Sequence, residues 1–160
     1  MEVSVSKGGR VYMASFVHTE VVNVEGEQLW EFILDKERWA MLIPGYLNHE
    51  LKTMDELIWV FKGDFGFVEK AVKVELKGKK IIENERFEFE IEGLSDNING
   101  SGFFEMKEKS ATEFELVGSL DLKAGGFLAA MINPVLETYV PKTTESLVAA
   151  MAKELSKATV

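Results

Sequence analysis

From Tyr46 to Lys123 apolar and polar residues alternate with period two almost without a break, the spacing of strands that turn one face to a core and the other to water. One parity class is apolar throughout: Trp59 and Phe61; Val72, Val74 and Leu76; Phe87, Phe89 and Ile91; Phe104 and Met106; Phe114, Leu116, Leu120 and Leu122. The other class is mainly Glu and Lys. Turn-compatible stretches at Thr53 to Glu56, Asp64 to Phe67, Gly78 to Lys80, Ser95 to Asn99 and Lys109 to Ala111 divide the region and predict six sequential antiparallel strands. Ser15 to Val24, rich in β-branched and aromatic residues, predicts one more strand ahead of them.

Elsewhere the period is helical. Leu29, Trp30, Ile33 and Leu34 form one stripe from Gly26 to Leu34, and Trp39, Leu42 and Ile43 share a side of the run that follows. Asp35 can cap that second short helix, and Pro44-Gly45 ends it. After Gly125-Gly126, three- and four-residue spacings from Leu128 to Leu155 predict a long amphipathic helix. Pro134 reads as a first-turn residue of its main segment, and Pro141 as a kink. A sheet with one apolar face and a helix with one apolar stripe must cover each other, so the chain is an α+β fold. It is a curved seven-stranded antiparallel sheet wrapped on a long C-terminal helix, with two short helices between strands one and two. Gly63, Gly78, Gly93, Gly100, Gly102 and Gly118 all fall on the apolar parity. The expectation is that they let the sheet bend and leave open volume on its inner side.

Composition narrows this picture. At 160 residues one domain suffices, assigned to residues 13–160, with residues 1–12 a disordered extension. Ser6-Lys7-Gly8-Gly9 and the residues after it are what a ribosome-binding site and spacer would encode, which makes Met13 the expected native start. The formal charge of −9, from 27 acidic and 18 basic residues, would repel nucleic acid. Absence of cysteine removes disulfides and thiolate chemistry and suits a reducing cytoplasm. No apolar run approaches the ~18 residues of a membrane-crossing helix, so any membrane contact is expected to be peripheral, at the inner face.

Candidate chemistry is sparse. His18 and His49 are the available near-neutral acid-base groups, and neither sits in a metal-ligand spacing, so no metal, cofactor or catalytic set is assigned. His18, Glu20 and His49 share inward parity and are expected to meet at one end of a cavity, where they would bind a ligand's polar head or stay as edge-strand residues. Ser101 lies in a hairpin rather than between strand and helix and is no nucleophile elbow. Glu88, Glu90 and Glu92 oppose Phe87, Phe89 and Ile91 and belong to a solvated face. The expected lining is Trp59, Phe61, Phe87, Phe89, Phe104, Met106 and Leu116 from the sheet, Met131, Val135 and Tyr139 from the helix, and the two histidines.

The order β, α, α, six β, long α is similar to the helix-grip fold of START-domain, pollen-allergen and polyketide cyclase-like proteins. Within that superfamily the chain resembles the carbon monoxide dehydrogenase G-subunit family. The resemblance is carried by Leu29-Trp30-Glu31-Phe32, Leu34-Asp35-Lys36-Glu37-Arg38, Ile43-Pro44-Gly45, the Gly100-Ser101-Gly102 strand and the closing helix, over about Phe16 to Leu155. It implies an apolar cavity and an accessory role beside a molybdenum-containing carbon monoxide dehydrogenase, through membrane association and a quinone-like ligand. The end at Val160, without the tail some members carry, sets membrane anchoring aside as an expectation. Three readings stand open at this point: a non-catalytic carrier of an apolar small molecule, a cyclase- or hydrolase-like enzyme using His18 or His49 as general base, and an interaction protein that docks on an oxidoreductase.

Overall fold

The computed structural model describes residues 14–66 and 68–157, so the expected N-terminal extension and the Met13 start lie outside the described residues. In chain order the elements are β1 (Ala14–Val22), α1 (Gly26–Leu34), α2 (Lys36–Ala40), β2 (Tyr46–Thr53), β3 (Glu56–Asp64), β4 (Glu69–Ile82), β5 (Arg86–Gly93), β6 (Ile98–Ser110), β7 (Glu113–Ala124) and α3 (Ala129–Lys157). The strands form one antiparallel sheet of order β1-β7-β6-β5-β4-β3-β2. β2 to β7 follow one another as a meander, while β1 closes onto β7, with Phe16 opposite Leu120. The inner face wraps α3, which packs chiefly on β1 and β7, and this is the expected fold class.

Two indole hydrogen bonds fasten the short helices to the sheet. Trp39 Nε1 donates to the Ile33 carbonyl and Trp59 Nε1 donates to the Ala40 carbonyl, both at 2.9 Å. Asp35 caps α2 through a 3.4 Å bond from the Arg38 backbone N–H. Trp39 thereby drops onto the concave face, its ring 4.8 Å from Phe104, 5.8 Å from Trp59 and 5.9 Å from Phe89 between centroids. Edge-to-face packing of this kind adds to plain area burial.

Three expectations change. The stretch Gly78 to Lys80 is no turn: β4 runs on to Ile82 with a bulge there, and the Gly78 N–H donates to the Asp55 carbonyl at 2.8 Å. The chain reverses instead around Asn84, whose φ of 62° is a conformation asparagine tolerates. Pro134 does not open α3, which begins at Ala129, places Pro134 beyond its first turn and continues past Pro141. The inner glycines do not leave open volume. A methyl group at Gly118 would collide with Val148 of α3, and one at Gly102 would lie 2.6 Å from the Phe89 ring. Space given up by Gly63, Gly102 and Gly118 is taken by neighbouring side chains, and at Gly93 and Gly100 by neighbouring backbone, so the glycines serve close approach.

Candidate functional site

The turns β3–β4, β5–β6 and β7–α3 gather at one end of the sheet around the start of α3, and the hollows of interest lie there. A void of about 30 Å³, room for little more than one water, sits between sheet and helix. Its walls include Ile43, Trp59, Phe61, Val72 and Leu136, with Tyr139 and Thr143 the polar-tipped members. Outside it opens a vestibule of about 410 Å³ bordered by Val68, Lys70, Asp96, Ile98, Phe127, Leu128, Ile132 and Val135. A groove of about 420 Å³ runs along the other side, between Asp64 to Gly66 and Pro134, Thr138 and Lys142. Phe65 borders all three.

The position of that ring follows from the local chain. The Phe65 N–H donates to the Val68 carbonyl at 2.9 Å, and the Gly66 N–H donates to Asp64 Oδ1 at 3.0 Å, closing a tight turn after β3. The turn folds Phe65 back over Gly63, where a methyl group would stand 2.6 Å from the ring, and sets it 4.9 Å from the Tyr139 ring. At the vestibule mouth Phe127 is 94% exposed and Val68 and Leu128 are exposed as well, while Lys70 and Asp96 pair at 2.6 Å. α3 begins under a clamp: Asn133 Oδ1 accepts from the Ala124 N–H at 2.7 Å and Asn133 Nδ2 donates to the Ala124 carbonyl at 3.2 Å.

The Tyr139 hydroxyl is buried and makes no hydrogen bond. Burial pushes its phenol above the ordinary tyrosine value; Thr143, close by but outside hydrogen-bonding geometry, opposes this, and the Asp64 charge adds to it. Thr144 Oγ1 is likewise buried without a partner but borders none of the hollows.

Of the residues expected to line a cavity, Trp59, Phe61 and Tyr139 border the void, and Val135 borders the vestibule and the groove. Phe87, Phe89, Phe104, Met106 and Leu116 are buried but border none of the three, and Trp39 packs over Phe89 and Phe104. Met131 is 61% exposed, while Ile132 and Asn133 beside it face the core and β7. His18, Glu20 and His49 do not meet: β1 and β2 are opposite edges of the sheet. His18 Nε2 bonds Glu20 Oε2 at 2.6 Å. His49 links Tyr46 Oη at 2.7 Å to Glu37 Oε1 at 3.0 Å, tying β2 to α2. Neither histidine borders the void, the vestibule or the groove. Among the described residues, no three His, Asp or Glu side chains are grouped to hold a metal ion. Phe65 is the site residue that parity reasoning passes over; its signal is a large aromatic in a stretch otherwise read as a turn.

This geometry defines a helix-grip protein, and solved structures agree. A conserved protein from Geobacillus kaustophilus superposes with a TM-score of 0.75 at 16% identity, covering 90% of this chain and 96% of that one. The Zhui aromatase/cyclase from Streptomyces sp. R1128 gives 0.71 at 15% identity, covering 92% and 96%. A START superfamily protein from Mycobacterium smegmatis gives 0.69 at 13% identity, covering 90% and 98%. These likenesses concern the fold. The chain belongs to the CoxG family, the G subunit of carbon monoxide dehydrogenase, whose sequence model matches residues 19–156. No curated protein matches.

Proposed function

We propose that this protein is a non-catalytic binding or carrier protein for a hydrophobic small molecule, quinone-like or lipid-like, and serves a molybdenum-containing carbon monoxide dehydrogenase-type oxidoreductase as an accessory. The observation that carries the reading is the vestibule of about 410 Å³, walled mainly by apolar side chains and parted by the Phe65 ring from the void beneath α3. Its volume lies in the usual range of small-molecule sites, and its walls reward removal of an apolar surface from water. The family description supports the choice of partner enzyme. Fold neighbours include an aromatase/cyclase and a norcoclaurine synthase. The cyclase- or hydrolase-like alternative needs His18 or His49 as general base at the hollow, and both make their contacts away from it.

Native mass spectrometry of protein purified from its host, followed by uptake from a panel of quinones and fatty acids, tests the carrier reading. A bound or acquired apolar molecule is expected; an empty protein that takes up nothing from the panel refutes it. Affinity capture from the same host tests the accessory role, with a molybdenum-containing enzyme as the expected co-purifying partner.

A further inference from the structure

The hollow beneath α3 holds one anomaly that apolar lining alone does not explain. The Tyr139 hydroxyl is buried and makes no hydrogen bond, although the residue borders a void whose walls are almost wholly hydrocarbon. A buried donor without an acceptor opposes folding, and phenylalanine would fill the same space without that penalty. Thr143, one turn further along the same face of α3, borders the void beside it. The second observation is the Phe65 ring. It lies between the void, the vestibule and the groove, is held by ring contact with Tyr139 and by the flat surface of Gly63, and rides on a turn whose Gly66 has φ +91° and no neighbours within 4 Å of where a side chain would begin. Displacing this ring would merge the void with the vestibule and uncover the Tyr139 hydroxyl.

We infer that the site takes an apolar molecule bearing a single hydrogen-bond acceptor, such as a carbonyl oxygen, at its leading end. The molecule enters from the vestibule, displaces the Phe65 ring, and accepts the hydrogen bond that Tyr139 Oη otherwise leaves unmade. Phe65 is thus a removable partition and Tyr139 the residue that selects for the acceptor. The inference rests on the apolar-ligand reading above and adds to it the polar requirement and the entry route. Burial raises the phenol above its ordinary value, so Tyr139 remains a donor through the neutral range.

A matched pair of probes tests it: 2-acetylnaphthalene, which carries a carbonyl acceptor, and 2-ethylnaphthalene, of nearly the same shape without one. Affinities are measured by titration calorimetry on the full chain and association rates by stopped-flow probe emission, for wild type, Tyr139→Phe, Phe65→Ala and Phe65→Leu. Wild type is expected to favour the ketone on the order of fivefold, the ordinary worth of one hydrogen bond. Tyr139→Phe is expected to lose that preference by weakening the ketone alone. Both Phe65 variants are expected to speed association of both probes while leaving the preference intact, and circular dichroism checks that they are folded. Equal affinity for the two probes in wild type, or a preference that survives in Tyr139→Phe, overturns the acceptor requirement while the apolar-ligand reading stands. Unchanged association rates in both folded Phe65 variants overturn the entry route. Failure of both probes to bind wild type and the Phe65 variants defeats the apolar-ligand reading, and the inference falls with it.

Discussion

Removing the Tyr139 hydroxyl should make the empty protein more stable. In Tyr139→Phe the ring keeps its contacts with Phe65 and the void walls, and the atom deleted is one that satisfies no partner. Leaving a buried polar group unpaired costs about 1–3 kcal/mol. Thr143 nearby and the small void soften that cost here, so the expected gain is about 1–2 kcal/mol. For a protein of this length each kcal/mol moves the midpoint by about 2–4 °C, giving a rise in Tm of roughly 2–8 °C. Thermal unfolding, paired with urea titration to show an unchanged m value, measures it. The pH dependence supplies an independent readout. The folded phenol titrates above its ordinary value near ~10, so the folded state holds its proton where the unfolded state has released it, and stability falls as pH rises through that interval. Tyr139→Phe removes that alkaline loss. A variant less stable than wild type by about 1 kcal/mol or more would show that the hydroxyl has an internal partner and would refute the reasoning.

Other perturbations follow from the packing and the charges. Gly118→Ala pushes a methyl group into Val148 and should cost about 1–3 kcal/mol by urea unfolding, with Val148→Ala in the same chain recovering part of the loss. Trp39→Phe deletes the bond to the Ile33 carbonyl and part of the ring that fills the concave face; a loss of about 2–4 kcal/mol is expected, and an unfolding midpoint within error of wild type would contradict it. Glu75, buried and bonded to Lys52 Nζ at 2.8 Å, has its carboxyl held below the ordinary glutamate range by that bond. Its lowered folded value means a contribution present at neutral pH and lost as pH falls through the acid range, so Glu75→Gln should flatten acid unfolding curves between pH ~5 and ~3.

Period-two alternation is enough to place the sheet, because one inward and one outward face leave a mark on every strand. It fails at Gly78 to Lys80, where turn-compatible residues form a bulge, and the true reversal is signalled more quietly by Asn84. The site is less legible than the fold. Parity assigns Phe87, Phe89 and Phe104 to the inner face as firmly as Trp59 and Phe61, but what fills the space above each depends on a residue from another element. Trp39 arrives from α2 to close one end, and Phe65 arrives from a turn to partition the other. Helical spacing likewise puts Met131 on the apolar stripe, although Ile132 and Asn133 are the residues that turn toward the core and β7 there. Inward parity also groups His18 with His49, although strand order, which alternation does not encode, sets them on opposite edges.

The pairing of β1 with β7 also constrains how the molecule is made. Phe16 leaves the ribosome long before Leu120, its partner across the ladder, so the first strand synthesised waits without a hydrogen-bonding neighbour while the whole meander emerges. α3 follows later still and covers both. Closing so long a loop costs entropy before any contact repays it, which places assembly toward the slow, high-contact-order end of single-domain folding. In that interval the apolar inner face of the sheet lacks its helix, and a chaperone would find its substrate there.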